Sequence, residues 1–183
     1  MKIRALLSGK IFICLCAFLF LLLLLQNKGR AEDDKKLYYQ GVAAVRKNNI
    51  DFAFLYFHKL LNDFPDSRYR EKALFATGEY YFSSLAYRDA SGIFYRMFEE
   101  YPESKSSPFV LAYLIKIAQK NGDEETVKKL EKELIASQQV SLLFRDFKEL
   151  QYSSAMSKKY KALYFIDKIE IYIDNELFAQ IPF

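Results

Sequence analysis

Residues 74–104 read LFATGEYYFSSLAYRDASGIFYRMFEEYPES, and residues 37–67 read LYYQGVAAVRKNNIDFAFLYFHKLLNDFPDS. Placing Pro102 on Pro65, an offset of 37, aligns Leu37 with Leu74, Gly41 with Gly78, Ala53 with Ala90, Phe57 with Phe94 and Ser67 with Ser104. Leu60/Met97, Leu61/Phe98, Phe64/Tyr101 and Asp66/Glu103 match in kind. A fixed period of this size marks two copies of one supersecondary unit. Within a copy, Ala53, Phe57, Leu60, Leu61 and Phe64 recur at helical spacing on one face. Asn48-Asn49 breaks the preceding helix, Pro65 and Pro102 end the following one, and Ser67 or Ser104 is placed to cap the next. The stretch therefore reads as a helical hairpin repeated along the chain.

The spacing G-x₂-Y…A-x₃-F…P resembles the tetratricopeptide repeat. Gly78, Tyr81, Ala90, Phe94 and Pro102 carry it in full; Gly41, Ala53, Phe57 and Pro65 carry it in the first copy, with Ala44 in place of the tyrosine. The pattern has a packing logic. Gly and Ala let two helix backbones approach, and Phe fills the space between them. The usual period is about 34 residues, and the extra residues here lie between the proline and the next leucine. The F/Y-P-D/E-S connector is similar to that of bacterial envelope proteins of this family, of the outer-membrane assembly lipoprotein or Tol–Pal coordinator type. A third unit is degenerate. Pro108 opens a helix with Leu111, Leu114, Ile115 and Ala118, Asn121-Gly122-Asp123 turns the chain, and Val127, Leu130 and Leu134 line a second helix. Ile115 stands where the family has Gly, so this pair fits the role of a cap or joint.

Residues 138–183 leave the repeat. Leu142, Leu143, Phe147 and Leu150 predict one more helix near 140–151. The period then becomes two: Ile169, Ile171 and Ile173 alternate with polar residues, Asp174-Asn175-Glu176 turns, and Leu177, Ala179, Ile181 and Phe183 alternate on return. Tyr160–Ile166 reads equally as a strand or a helix extension. An isolated hairpin is marginal in water, so it must lie on the helices, join a third strand or pair with a second copy of the chain.

The net charge of +4 over 183 residues divides unevenly along the chain. Lys2, Arg4, Lys10, Lys28 and Arg30 fall in residues 1–31, which hold no acid; the remaining 22 basic and 23 acidic residues give the rest a net of −1. A basic start followed by the 15-residue apolar run Ile11–Leu25 reads as a signal peptide cut after Ala31 or as an uncleaved signal anchor. Either reading exports residues 32–183, to the periplasm, as a soluble protein or one tethered to the inner membrane. Cys14 and Cys16 lie inside the run, so the remainder has no thiol for a disulfide, a nucleophile or a metal.

Little in the remainder predicts chemistry. His58 is the only histidine and cannot build a usual zinc site without cysteines or a carboxylate cluster. No glycine forms a phosphate loop, no S-x-x-K signature is present, and Glu99-Glu100 reads as a solvated helix end. The expectation is no catalytic residue, no metal, no cofactor and no nucleic-acid partner. Lys158-Lys159-Tyr160-Lys161, the densest basic run, reads as a solvated loop, with anionic lipid as the competing use.

The resemblance implies that the first helix of each repeat lines a concave face. It places Tyr38, Val42, Arg46, Lys72, Phe75, Glu79, Phe82 and Phe109 on a partner-binding groove, with Lys35, Val45, Ser83 and Lys116 along the same row. Some of the aromatics are alternatively covered by residues 138–183 folded back. The expected architecture is mainly α: a signal or anchor segment at 1–31, TPR-like hairpins at 32–67, 68–104 and 105–137, and a helix with a small β-hairpin at 138–183. The expected role is a non-catalytic scaffold for envelope proteins or peptides. A module presenting peptidoglycan or peptide to an envelope enzyme, and an anionic-lipid-binding surface protein, are the alternatives.

Overall fold

A computed structural model describes residues 33–142 and 148–183. The leader, with Cys14 and Cys16, lies outside the described residues. The chain is mainly helical and ends in a small antiparallel sheet. Helices α1 (33–46), α2 (Ile50–Asp63), α3 (Arg70–Ser83), α4 (Tyr87–Glu100), α5 (Ser107–Lys120) and α6 (Glu124–Leu142) follow one another through short turns, and neighbours in sequence pack together. Strands β1 (Lys148–Ser153), β2 (Lys159–Tyr164), β3 (Lys168–Ile173) and β4 (Glu176–Pro182) form a sheet in the order β1-β2-β3-β4. Among the described residues, no helix is long and apolar enough to cross a membrane.

The 37-residue offset in the sequence is also an offset in structure. A Cβ added at Gly41 would sit 2.6 Å from Phe57 Cε1, and one at Gly78 would sit 2.5 Å from Phe94 Cε1. Phe57 and Phe94 are both fully buried, each filling the notch that its glycine leaves. The turns repeat as well. Ser67 Oγ donates to Asp34 Oδ2 (2.6 Å) and accepts from the Tyr69 N–H (3.1 Å). Ser104 Oγ donates to Glu71 Oε1 (2.5 Å) and accepts from the Ser106 N–H (3.0 Å). These serines were expected to cap the following helices. Instead each ties the turn back to the start of the preceding hairpin, while Tyr69 and Ser106 occupy the cap positions without a side-chain cap bond. Ala53 and Ala90 are buried, Pro65 and Pro102 lie on exposed turns, and Tyr81 is half-buried.

Between α3 and α4 the packing carries a polar clamp. Arg70 is buried, and its guanidinium grips Glu100 through Nε–Oε2 (2.8 Å) and Nη2–Oε1 (3.0 Å), with Nη1 donating to the Leu61 carbonyl (3.3 Å). Arg96 Nε adds a third donor to Glu100 Oε1 (2.9 Å). These hydrogen bonds and charges hold the Glu100 carboxyl at about 2, well below its ordinary value. Glu100 is thus a packing residue at the helix end. In the third hairpin Ile115 is buried at the position of Gly41 and Gly78, and Gly122 supplies the left-handed turn at φ 69°.

The C-terminal segment departs from expectation in two ways. The helix expected near 140–151 ends at Leu142, and residues 148–151 belong to β1; 143–147 lie outside the described residues. The expected hairpin is one half of a four-stranded meander, because Tyr160–Tyr164 takes the strand reading and pairs with both β1 and β3. The β3–β4 turn is as expected, with Asp174 (φ 51°) and Asn175 (φ 71°) both left-handed, the two-residue geometry that suits a twisted hairpin. Ile169, Ile171, Ala179 and Ile181 are buried on the inner face. Leu177, expected inside, is 54% exposed, because a register shift at Ile171/Tyr172 sets it opposite Tyr172 and leaves Phe178 as the extra residue.

Candidate functional site

The first helices of the hairpins, α1, α3 and α5, carry the row of residues expected to line a groove. Equivalent positions in the first two repeats are Lys35/Lys72, Tyr38/Phe75, Val42/Glu79 and Arg46/Ser83, each pair separated by 37. The structure treats the two sets differently. Lys35, Arg46 and Lys72 are exposed and Val42 is half-buried. Tyr38, Phe75, Glu79 and Phe109 are buried, so as open groove residues they stand corrected: Tyr69 stacks on the first, and the sheet lies on the other three. Val45 is buried too, within the helical core. Phe82 and Lys116 are half-buried, and Ser83 is exposed.

At the first repeat the aromatic side chains pack among themselves. Tyr38 stacks on Tyr69 with centroids 4.5 Å apart and meets Tyr39 edge-on at 5.4 Å. Cations sit over this stack: Lys72 Nζ lies 5.9 Å from the Tyr38 ring, and Arg68 lies 4.8 Å from the Tyr69 ring while donating to its hydroxyl (2.7 Å). Burial and the neighbouring tyrosines raise the pKa of Tyr38. Tyr38 itself is only 9% exposed, but Tyr39 beside it is 54% exposed. The result is a buried aromatic pair with Tyr39, Arg68 and Lys72 exposed around it.

At the second repeat the sheet supplies the covering. Phe75 meets Tyr152 of β1 and Tyr160 of β2, both at 5.2 Å and edge-on. Phe109 lies 5.1 Å from Tyr160, and Phe82 and Tyr113 meet Phe178 of β4 at 6.0 and 5.0 Å. A single buried acid lies under these rings. Glu79 Oε1 accepts from Tyr160 (2.6 Å) and from Ser154 (3.0 Å), and the Tyr160 hydroxyl also meets that of Tyr113 at 2.8 Å. Oε2 is buried with no hydrogen-bond partner. Burial lifts the Glu79 carboxyl from 4.5 to about 7, against the pull of the two hydroxyls and of Lys158. The tyrosines around it, Tyr113, Tyr152 and Tyr160, are pushed far above their usual range by burial and by Glu79, so they stay neutral.

Beside the buried contact a cleft of about 530 Å³ opens between the end of α3, α5 and the β3–β4 turn. Phe82, Tyr87, Tyr113 and Phe178 form its aromatic wall, and Lys158, Asp174 and Glu176 its rim. Lys158 reaches Ser83 Oγ across the seam (3.5 Å), whereas Lys161 lies over the Tyr172 ring (4.9 Å) on the sheet's outer face. The basic run therefore does not form one patch. Asn62 Nδ2 donates to His58 Nδ1 (3.1 Å) on the α2 surface. Among the described residues, no group of three or more His, Cys, Asp or Glu side chains is placed to hold a metal ion.

No family model matches the chain, and no curated protein matches it.

Sequence reasoning named the row on α1, α3 and α5 and the residues 138–183 as an alternative cover, but not the side chains that close it: Tyr113, Tyr152, Ser154 and Tyr160. One signal pointed to them. The repeat has Val42 at the position where the second copy has Glu79, and an acid replacing a half-buried apolar residue calls for a polar partner from elsewhere in the chain.

Proposed function

We propose that the chain is a non-catalytic, tetratricopeptide-like scaffold exported to the bacterial cell envelope, where its α1/α3 face holds a segment of another envelope protein. The observation that carries this reading is the repeated hairpin with an aromatic and cationic surface open at its first copy: Tyr39, exposed over the buried Tyr38–Tyr69 stack, with the exposed Lys72 and Arg68 beside it. Rigid tyrosines and arginines are the side chains that anchor protein interfaces most effectively. The cations beside them favour a partner segment that combines acidic and apolar residues. The leader pattern of basic start and apolar run supports export. The specific assembly, whether outer-membrane protein assembly, the Tol–Pal system or a periplasmic flagellar or secretion machine, rests on the resemblance of the connectors.

Photo-crosslinking in cells tests the proposal. A photoreactive residue at Tyr39 or Lys72 is expected to capture a discrete partner, and one at Lys161 on the sheet's outer face is not. Changing Tyr38 and Arg46 to Ala is expected to abolish the Tyr39 crosslink. Equal capture from Lys161, or capture at Tyr39 indifferent to both changes, sinks the reading.

A further inference from the structure

Glu79 is an unusual residue to find beneath a docked sheet. It is 1% exposed, it lies where α3, α5, β2 and the β1–β2 turn meet, and one of its oxygens has no partner. Well-packed apolar residues would hold the two layers together as firmly, and the equivalent residue of the first repeat is Val42. A buried acid there makes the docking depend on its protonation.

The groups around the carboxyl define how. From α5 it is faced by Tyr113, through Tyr160; from β1 by Tyr152; from the β1–β2 turn by Ser154 and Lys158; from β2 by Tyr160; and from the β3–β4 turn by Asp174. In the neutral form Oε1–H donates to Tyr160 and the Tyr160 hydroxyl donates to Tyr113. In the charged form the chain reverses: Tyr113 donates to Tyr160, and Tyr160 and Ser154 donate to Oε1. The reversal preserves every contact but leaves a charged carboxylate with Oε2 bare in an aromatic surrounding, and that form carries the desolvation cost. Lys158 offsets it only from a distance, since its ammonium reaches Ser83 instead (3.5 Å). Asp174 adds a repulsive charge, with its Oδ1 already engaged by the Lys159 N–H (2.9 Å).

We propose that Glu79 is a proton-operated latch between the helices and the sheet: neutral, it keeps the sheet on Phe75 and Phe109; charged, it loosens the sheet and opens that half of the face to a partner. The inference rests on the proposed partner-binding role of the face, but the docking itself is measurable with no partner present.

The sign follows from linkage. The docked carboxyl titrates at about 7 and a solvated one at 4.5, so the docked state holds its proton more tightly. Docking is strongest below the ordinary carboxyl value, weakens as the pH rises and levels off above about 7. With those values the docking equilibrium falls about 70-fold from about pH 5 to pH 8, within a ceiling of about 300-fold.

Amide hydrogen exchange of the full-length protein, corrected for intrinsic exchange and followed at β2 and α3, tests this. Wild type is expected to lose protection at β2 by roughly that factor as the pH rises, while α2 and α4 hold theirs. Glu79→Gln is expected to flatten the profile and to match wild type at acidic pH. Tyr160→Phe removes a donor to the charged form and is expected to move the midpoint upward; it serves as the second variant if Glu79→Gln fails to fold. A flat wild-type profile, an undiminished slope in Glu79→Gln, or an unmoved midpoint in Tyr160→Phe overturns the latch. None of these results depends on whether a partner binds, so the latch and the partner-binding reading fail separately.

Discussion

The first and second hairpins share their frame and differ in what rests on them. Gly41 faces Phe57 as Gly78 faces Phe94, and Ser67 bonds Asp34 as Ser104 bonds Glu71. Yet Tyr38 stacks on Tyr69 within the helical layer, whereas Phe75, its equivalent, packs edge-on against two tyrosines of the sheet. Val42 is half-buried and Glu79 fully buried at matching positions. The frame residues are dictated by how two helices approach each other, and any copy of the hairpin needs them. The face residues are dictated by what comes from outside the hairpin, and they are free to differ.

Substitutions can break or sharpen that contrast. The largest effect is expected from Phe94→Ala, which empties a fully buried site whose ring also stacks on Tyr113 at 4.7 Å. A loss of about 3–5 kcal/mol in chemical denaturation is expected. Phe57→Ala, lacking that third-hairpin contact, is expected to fall at the lower end of the range. Equal losses would mean that the Tyr113 contact of the third hairpin adds nothing to the second.

Gly78→Ala is next. The new Cβ meets the Phe94 ring at 2.5 Å, so the ring or the helix must shift, at a cost of about 1–3 kcal/mol. Gly41→Ala meets Phe57 at 2.6 Å and is expected to cost about the same. Matching shifts in melting temperature would support one shared frame, and a neutral result at either site would break the equivalence.

The two turn serines come third. Ser67→Ala leaves the buried Asp34 without its donor, and Oδ1 already has none. Ser104→Ala leaves Glu71, which is half-buried and reaches solvent more easily. About 2 kcal/mol is expected for the first and about 1 kcal/mol for the second. Reversal of that order would contradict the burial argument.

The smallest effect concerns acid. The Glu100 carboxyl is lowered from 4.5 to about 2 by Arg70 and Arg96, so its contribution is present above 4.5 and is lost as the pH falls toward 2. Because Glu100 is partly solvated, Glu100→Gln is expected to cost only about 1 kcal/mol at neutral pH. That difference should vanish near pH 2 in acid titrations followed by circular dichroism. Glu79 has the opposite sign, so the two acids are separable by pH alone.

The helical half was legible because its signals are local. Gly78, Phe94 and Pro102 act through neighbours within one hairpin, and a period of 37 is visible in the sequence itself. The sheet was half legible. Asp174-Asn175 announced the β3–β4 turn, but Lys148–Ser153 is an edge strand in which Leu150 and Tyr152 are only half-buried. Its apolar spacing with Leu142 and Phe147 fits a helix as well as a strand. The register shift at Ile171/Tyr172, which turns Leu177 outward, has no sequence mark. The closure of the second hairpin was legible only as an alternative, residues 138–183 folded back, without the side chains that make it. It joins residues 75 to 81 positions apart in the chain, and Ser154, Tyr160 and Glu79 look like ordinary surface residues until they meet.

The central claim is that one face is open at the first hairpin and closed by the chain's own sheet at the second. Hydroxyl-radical footprinting of the full-length protein, read residue by residue, measures this directly. The account predicts rapid oxidation of Tyr39 with protection of Phe75, Phe109 and Tyr160. Comparable oxidation of Phe75 and Tyr39 at acidic pH would contradict it.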